Sequence, residues 1–247
     1  MRAVFKLLRG VWHVVVGWFT IYFQFPKLNQ QQRDARVQVW AMQLLRIWDI
    51  DLEVRGKPVV TGPALLVCNH ISWLDILVIH ATRHCRFVSK SELRDWPVLG
   101  TLATGGGTLY IERAQRKDAM RMVKDMAQSL RNGEVLAVFP EGTTGDGIGI
   151  LPFHANLIQS AIEGLAPVQP LALQFIDTKT QSISMAARYV GDDTLLGSIW
   201  TTLNARGLKA VVQFGELQFA NGRDRRSWTH ALQEDVKALK QLCEVKS

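Results

Sequence analysis

The sequence predicts an α/β fold, a mixed, largely parallel sheet flanked by helices, preceded by a basic helical appendage. Three observations carry that prediction. From residue 59 onward, short apolar runs alternate with stretches of helical period. The runs lack the polar alternation of a half-solvated sheet, so their strands are buried on both faces. Composition breaks near residue 56, between a tryptophan-rich basic segment and the remainder. With 247 residues, 47% of them apolar, the chain can bury one sizeable core and is not a disordered sequence. The division expected is an N-terminal segment over 1–55 and a catalytic-type domain over 56–247.

The N-terminal segment comes first. Residues 1–50 place Arg2, Lys6, Arg9, Lys27, Arg33, Arg36 and Arg46 against only Asp34 and Asp49, and they hold Trp12, Trp18, Trp40 and Trp48. Between these charges runs VWHVVVGWFTIYFQF, residues 11–25, closed by Pro26. The run falls short of the roughly 20 residues of a transmembrane helix, and His13 and Gln24 interrupt it. No small-x-small cleavage site follows, which argues against a signal peptide. The segment reads as a retained amphipathic, membrane-associating helix, with aromatic rings at headgroup level and Arg/Lys facing anionic lipid. A buried hairpin covering the main core is the alternative.

The remaining elements follow in order. Residues 64–68 (ALLVC) read as a buried strand ending at Asn69-His70, and 71–81 as a helix. Residues 86–89 and 108–111 are strands on either side of a short helix, 97–104, and a triple glycine. Residues 115–131 form an amphipathic helix with Ala119, Met122, Val123, Met126, Ala127 and Leu130 at i, i+3, i+4 spacing, stopped by Asn132-Gly133. Residues 135–139 are an apolar strand running into Pro140-Glu141-Gly142. A helix over 153–163, strands over 168–175 and 183–190, a helix over 194–205, a strand over 209–217 and a helix over 227–245 complete the chain.

Charge and cysteine content narrow the function. The balance of 29 Lys+Arg against 22 Asp+Glu, net +7, asks for an anionic partner: nucleic acid, a phospholipid surface or a phosphorylated small molecule. Cys68, Cys85 and Cys243 are odd in number and far apart, which excludes a disulfide framework and a cysteine zinc site and suits a reducing compartment. The six histidines show no H-E-x-x-H spacing, and no metal is implied.

Ligand sites in open α/β sheets lie at the carboxyl ends of strands, and three such ends carry unusual polar residues. The first is Asn69-His70-Ile71-Ser72-Trp73-Leu74-Asp75. Five residues apart within one helix, His70 and Asp75 would lie about 140° out of phase. With His70 ahead of the helix and Asp75 in its first turn they can pair as a general base and its orienting carboxylate. The alternative is a capping box over Ser72-x-x-Asp75. The second is Gly107–Arg113, whose Arg113 could hold a phosphate bidentately. The basic residues after it, Arg116, Lys117, Arg121 and Lys124, read better as a solvated helix face. The third is Phe139-Pro140-Glu141-Gly142-Thr143-Thr144-Gly145, a turn whose N–H groups and hydroxyls could cradle an anion or oxyanion. Glu141 would there orient a cation such as Arg113 or Lys90, or accept a substrate hydroxyl. The alternative is a turn with threonine caps.

Together these blocks, N-H-x-S-x-x-D, then G-x-x-[YF]-I-x-R about forty residues on, then F-P-E-G-T-T, then Val168-Gln169-Pro170, resemble the glycerolipid acyltransferase family over roughly residues 60–175. The resemblance is nearest to its bacterial 1-acylglycerol-3-phosphate acyltransferases. It implies that His70 is the general base and Asp75 its partner. It further implies that Lys90 and Arg113 bind the acceptor phosphate, that Glu141, Gly142 and Thr143 belong to the acceptor-binding block, and that Pro170 shapes the pocket. Gln169, Glu112 and His154 depart from the family's pattern. No serine sits in a G-x-S-x-G elbow and no cysteine in a motif, so transfer is expected to be direct. The acyl donor would be acyl-CoA or an acyl carrier protein thioester, with no cofactor. The implied partners are a membrane phospholipid surface, a lysophospholipid acceptor and an acyl carrier protein, at the cytoplasmic face of a bacterial inner membrane. A lyso-ornithine lipid O-acyltransferase is the alternative within the class. A basic membrane- or nucleic-acid-binding module is the alternative outside it, but no nucleic-acid signature is present.

Overall fold

The computed structural model describes residues 1–111 and 116–244. The chain opens with α1 (Arg2–Phe23), a 3-10 turn at Phe25–Lys27 and α2 (Gln30–Ile47), then β1 (Ile50–Arg55) and β2 (Ala64–Cys68). Next come α3 (Leu74–Thr82), β3 (Arg86–Lys90), a 3-10 turn at Ser91–Asp95, α4 (Leu99–Gly105), β4 (Leu109–Ile111), α5 (Arg116–Arg131) and β5 (Val135–Val138). The second half holds α6 (Ala155–Gly164), β6 (Val168–Asp177), β7 (Ser182–Ile183), α7 (Leu195–Asn204), β8 (Leu208–Phe214) and α8 (Arg225–Glu244).

The strands form one sheet in the order β1-β8-β6-β2-β5-β3-β4, with β7 paired to β6. The block β6-β2-β5-β3-β4 is parallel throughout. β8 runs antiparallel to β6 and parallel to β1. Alternate residues of each central strand feed two cores. Leu65, Val67, Leu136 and Val138 pack under α5, α6 and α8 with Met126, Ile158, Trp228 and Leu232. Ala64, Leu66 and Cys68 face the other way, against Leu44 and Leu45 of α2, Leu74 and Val78 of α3, and Leu203 of α7. Burial on both faces is why these strands read as continuous apolar runs. Because β2, β3, β5 and β6 are parallel, their carboxyl ends share one edge, and the polar motifs gather there.

Three sequence expectations are corrected. The N-terminal segment does not end at residue 55, because Ile50–Arg55 pairs with β8 as the sheet's edge strand. α2 also belongs to the core: Ala41, Leu44, Leu45 and Trp48 are buried in the same cluster as β2. Asn29 starts that helix, its side chain accepting the Gln32 N–H while the Gln32 side chain accepts the Asn29 N–H.

The second correction concerns length. Residues 11–23 of the apolar run belong to a 22-residue helix, because Ala3, Val4, Phe5, Leu7 and Leu8 continue its helical phase between the basic residues. At 1.5 Å per residue α1 is about 33 Å long, enough by length and composition to cross a membrane, with mean hydropathy 1.3 over its apolar window. One face of α1 is nevertheless docked. Side chains at Gly10 and Gly17 would run into the indoles of Trp48 and Trp40. His13, which breaks the apolar run, faces α2: its Nε2 lies 3.0 Å from the Trp40 carbonyl, and the Trp40 indole donates to the His13 carbonyl at 3.2 Å. The opposite face exposes Phe5, Leu8, Trp12, Phe19, Tyr22 and Phe23.

The third is the strand expected over 183–190; the strand present is Ser182–Ile183, paired with β6, so only Ile183 of the expected range lies in it. Beyond it, side chains of α7 take up the backbone groups that a ladder would satisfy. Thr202 Oγ1 donates to the Ala186 carbonyl at 3.1 Å and Ser198 Oγ to that of Arg188 at 3.3 Å. The Tyr189 N–H reaches the Ile71 carbonyl, which lays this segment over the loop after β2.

Candidate active site

β2 ends at Cys68, and the buried Asn69 side chain fastens that end to β6. Its amide donates to the Leu173 carbonyl at 2.9 Å and its oxygen accepts the Leu173 N–H at 2.8 Å. His70 follows, outside any helix, and Asp75 lies in the first turn of α3. The His70 Nδ1 is 2.8 Å from Asp75 Oδ2. The same oxygen accepts the Ile71 N–H at 2.6 Å and the Ser72 N–H at 2.9 Å. The reciprocal capping box does not form, because the Ser72 hydroxyl accepts the Leu74 N–H at 3.2 Å and not that of Asp75; the carboxylate that closes the turn also holds the ring. Asp75 is fully buried, whereas the His70 side chain keeps 18% of its exposure. With Nδ1–H donated to Asp75, Nε2 carries the free lone pair that a general base needs.

His70 lines a cleft of about 320 Å³ together with Val88, Ser89, Lys90, Glu92, Leu93, Trp96, Val138, Phe139, Gly142 and Leu157. One wall is polar, from the end of β3, and the floor is apolar, from the ends of β5 and α6. Phe139 stacks on the imidazole with ring centroids 3.9 Å apart and planes 8° apart, and Phe87 stacks on Phe139. The stacking limits the ring to rotation in its own plane, where Asp75 fixes it.

The structure distributes the expected site residues unevenly. It brings His70, Lys90 and Gly142 to one cleft, with Asp75 buried behind His70. Arg113, with its neighbour Glu112, lies outside the described residues. Glu141 is buried, and its two oxygens accept the His70 N–H at 2.7 Å and the Leu151 N–H at 2.8 Å; among the described residues it pairs with no cation. Burial pushes its carboxyl above the usual range, opposed by those two N–H groups. Gly142 sits at φ +73, and a Cβ there would come within 2.9 Å of His154 Cδ2, so that turn needs glycine. Its N–H donates to the Phe139 carbonyl at 3.1 Å, so it is not the free oxyanion donor that the turn suggested. Thr143 is exposed and does not line the cleft. Nor does Pro170, which stands in β6 in register with Val67, its ring beside Gly215. Gln169, a departure from the family's pattern, is buried with every polar atom engaged: Val59 N–H, Lys57 carbonyl and Gly215 carbonyl, all within 2.9 Å.

Sequence reasoning missed Phe139, Phe87 and Trp96, because an aromatic residue at a strand end is ordinarily core. The position of Phe139 directly before Pro140-Glu141-Gly142 was the available signal. Burial pushes the Cys68 thiol well above its ordinary range and that of Cys85 up to about 12, which leaves neither as a thiolate nucleophile. Among the described residues, no three His, Cys, Asp or Glu side chains gather as a metal site. The arrangement can take a proton from a hydroxyl brought to His70 Nε2, in a cleft that carries an ammonium group on one wall and an apolar floor.

Comparison with known proteins bears on this site. A family model described as Acyltransferase matches residues 51–174. The chain is 34% identical over 213 residues to the 1-acyl-sn-glycerol-3-phosphate acyltransferase of Neisseria gonorrhoeae, covering 85% of this chain and 82% of that protein. It is 32% identical over 253 residues to the lyso-ornithine lipid O-acyltransferase of Brucella abortus, covering 96% and 94%. The crystal structure of the 1-acyl-sn-glycerophosphate (LPA) acyltransferase of Thermotoga maritima superposes with a TM-score of 0.68 over the whole of both chains at 18% identity, a likeness of fold.

Proposed function

The chain belongs to the acyltransferase family, and within it we propose that it moves a fatty acyl group from a thioester to the sn-2 hydroxyl of 1-acylglycerol 3-phosphate, giving phosphatidic acid for phospholipid biosynthesis. The enzyme is an O-acyltransferase of the 1-acylglycerol-3-phosphate acyltransferase type. What supports the finer reading is a single observation: Lys90 lines the cleft that holds the His70–Asp75 pair. In this reading His70 Nε2 takes the proton of the acceptor hydroxyl, whose oxygen attacks the thioester carbonyl. The tetrahedral intermediate expels the thiolate, which receives the proton back from His70, so an ester and a free thiol leave. Lys90 meets the acceptor phosphate. The donor is acyl-CoA or an acyl carrier protein thioester, and either polyanionic carrier suits a chain of net charge +7.

A second reading rests on Glu92, which lines the cleft beside Lys90. A carboxylate and an ammonium together suit a zwitterionic headgroup such as that of lyso-ornithine lipid. Thiol release by purified enzyme with the two acceptors decides between them. Lysophosphatidic acid is expected to be the better substrate, and Lys90→Ala to raise its KM by about 10–100-fold, as loss of a charged hydrogen bond would. Faster turnover of lyso-ornithine lipid, or an unchanged KM in Lys90→Ala, favours the second reading.

For location we propose that α1 lies on the phospholipid at the cytoplasmic face of the bacterial inner membrane. Its inner face is docked on α2 while its outer face presents aromatic side chains, flanked by exposed Arg2 and Arg9. Replacing Trp12, Phe19 and Tyr22 together with serine is expected to lower the fraction sedimenting with anionic phospholipid vesicles by about tenfold or more. Undiminished sedimentation would remove α1 from the contact.

A further inference from the structure

We propose that Glu141 is a positioning residue for this reaction: its carboxylate holds the main chain of His70, as Asp75 holds the imidazole, and it does not touch the acceptor. The proposal rests on His70 being the general base. Three contacts carry it. The His70 N–H donates to Glu141 Oε1 at 2.7 Å, the Leu151 N–H donates to Oε2 at 2.8 Å, and the His70 carbonyl accepts the Gly145 N–H at 2.8 Å. Both backbone groups of His70 are thus bound to the turn after β5, and the carboxylate ties that turn to the chain entering α6. Glu141 is 5% exposed and does not line the cleft.

Chemistry requires a carboxylate at this point. Each oxygen meets an N–H donor, the pattern of an ionised group. In glutamine one of those oxygens becomes an NH2, so a donor would face a donor in a buried place. His70 then loses one of its two main-chain anchors. A displacement of about 1 Å at a reacting group costs roughly 10²-fold in rate. Among the described residues, the charged and titratable groups facing His70 are Asp75 from α3, Glu141 from the turn after β5, and Lys90 and Glu92 across the cleft. Cys68 on β2 and His154 against Gly142 complete the surroundings of Glu141. Removing one negative charge from that set disfavours the imidazolium that forms during transfer.

The test uses the full chain with acyl-CoA and 1-acylglycerol 3-phosphate, following thiol release against pH. Glu141→Gln is expected to lower kcat by roughly 10²-fold, keep the acceptor KM within about twofold, and move the acid limb of kcat/KM to lower pH. Glu141→Asp keeps the charge but shortens the reach; it is expected to lose kcat with KM and the acid limb unmoved. A KM rise of about tenfold with kcat retained would make Glu141 an acceptor contact and overturn the proposal. A fall in turnover in Glu141→Gln that leaves the acid limb in place would overturn it too, as a merely structural loss. If Glu141→Gln does not fold, wild-type kcat in a folded Glu141→Asp overturns it, and a lowered kcat at unchanged KM supports it. The base assignment fails separately: turnover retained by His70→Ala overturns that reading, whereas an inactive His70→Ala beside a fully active Glu141→Gln overturns only the present one.

Discussion

His70→Ala is expected to lower kcat for thiol release by about 10²–10⁴-fold, the range that a positioned general base supplies, while the protein stays folded. The side chain lies at the cleft, not in either core, and its main packing partner is the face of Phe139. Loss of that stacking costs about 0.5–1.5 kcal/mol, so the thermal midpoint should fall by only a few degrees. Cys68 and Cys85 cannot substitute, being buried and protonated. The measurement is thiol release with a lysophospholipid acceptor, alongside circular dichroism of the same preparation. Turnover near the wild-type level in a folded His70→Ala enzyme would remove the dyad from the chemistry.

Asp75→Asn should cost about as much. Asp75 Oδ2 takes three donors, the Ile71 and Ser72 N–H groups and the ring of His70, and no solvent reaches the carboxylate. An asparagine can place its oxygen there, but its NH2 then occupies the position of Oδ1, which is buried and has no hydrogen-bond partner among the described residues. A buried unpaired donor costs about 1–3 kcal/mol, and the imidazolium formed during transfer loses its counter-charge. We expect kcat reduced by about 10²–10⁴-fold with a clear loss of thermal stability, the combination that distinguishes it from His70→Ala. Because the two side chains act as one base, the double variant should have a kcat no lower than that of His70→Ala alone. Additive losses would mean that Asp75 acts independently of the ring.

Much of the fold and of the dyad is legible in the sequence. The strands over 64–68, 86–90 and 135–138, and the helix over 116–131, lie within a residue of where hydrophobic period and the Asn132-Gly133 stop place them. The pairing of His70 with Asp75 follows from helical phase, since only a histidine ahead of the helix can reach that carboxylate. The edge strand Ile50–Arg55 is hidden because charged Asp51, Glu53 and Arg55 alternate with its apolar residues, and these charges are met across the neighbouring strand, as Glu53 is by Lys209 of β8. The stretch after Ile183 misleads in the opposite sense: MAARYV carries strand composition, but hydroxyls of α7 satisfy its carbonyls in place of a neighbouring strand.

By itself, then, the sequence determined the α/β class, the shared edge of the parallel strands and the residue types gathered there, because periodicity and strand-end chemistry are local properties. Only the tertiary structure decided which way the polar groups at that edge face. Glu141 turns inward to the main chain of His70, Pro170 falls away from the cleft, and α1 docks one face through Gly10 and Gly17 while leaving the other open. The physical reason is the same in each case. A buried polar atom goes to whichever partner satisfies it, and a helix face goes to whichever surface fits it. Those partners lie tens of residues away in the chain, as Glu141 does from His70 and Trp48 from Gly10.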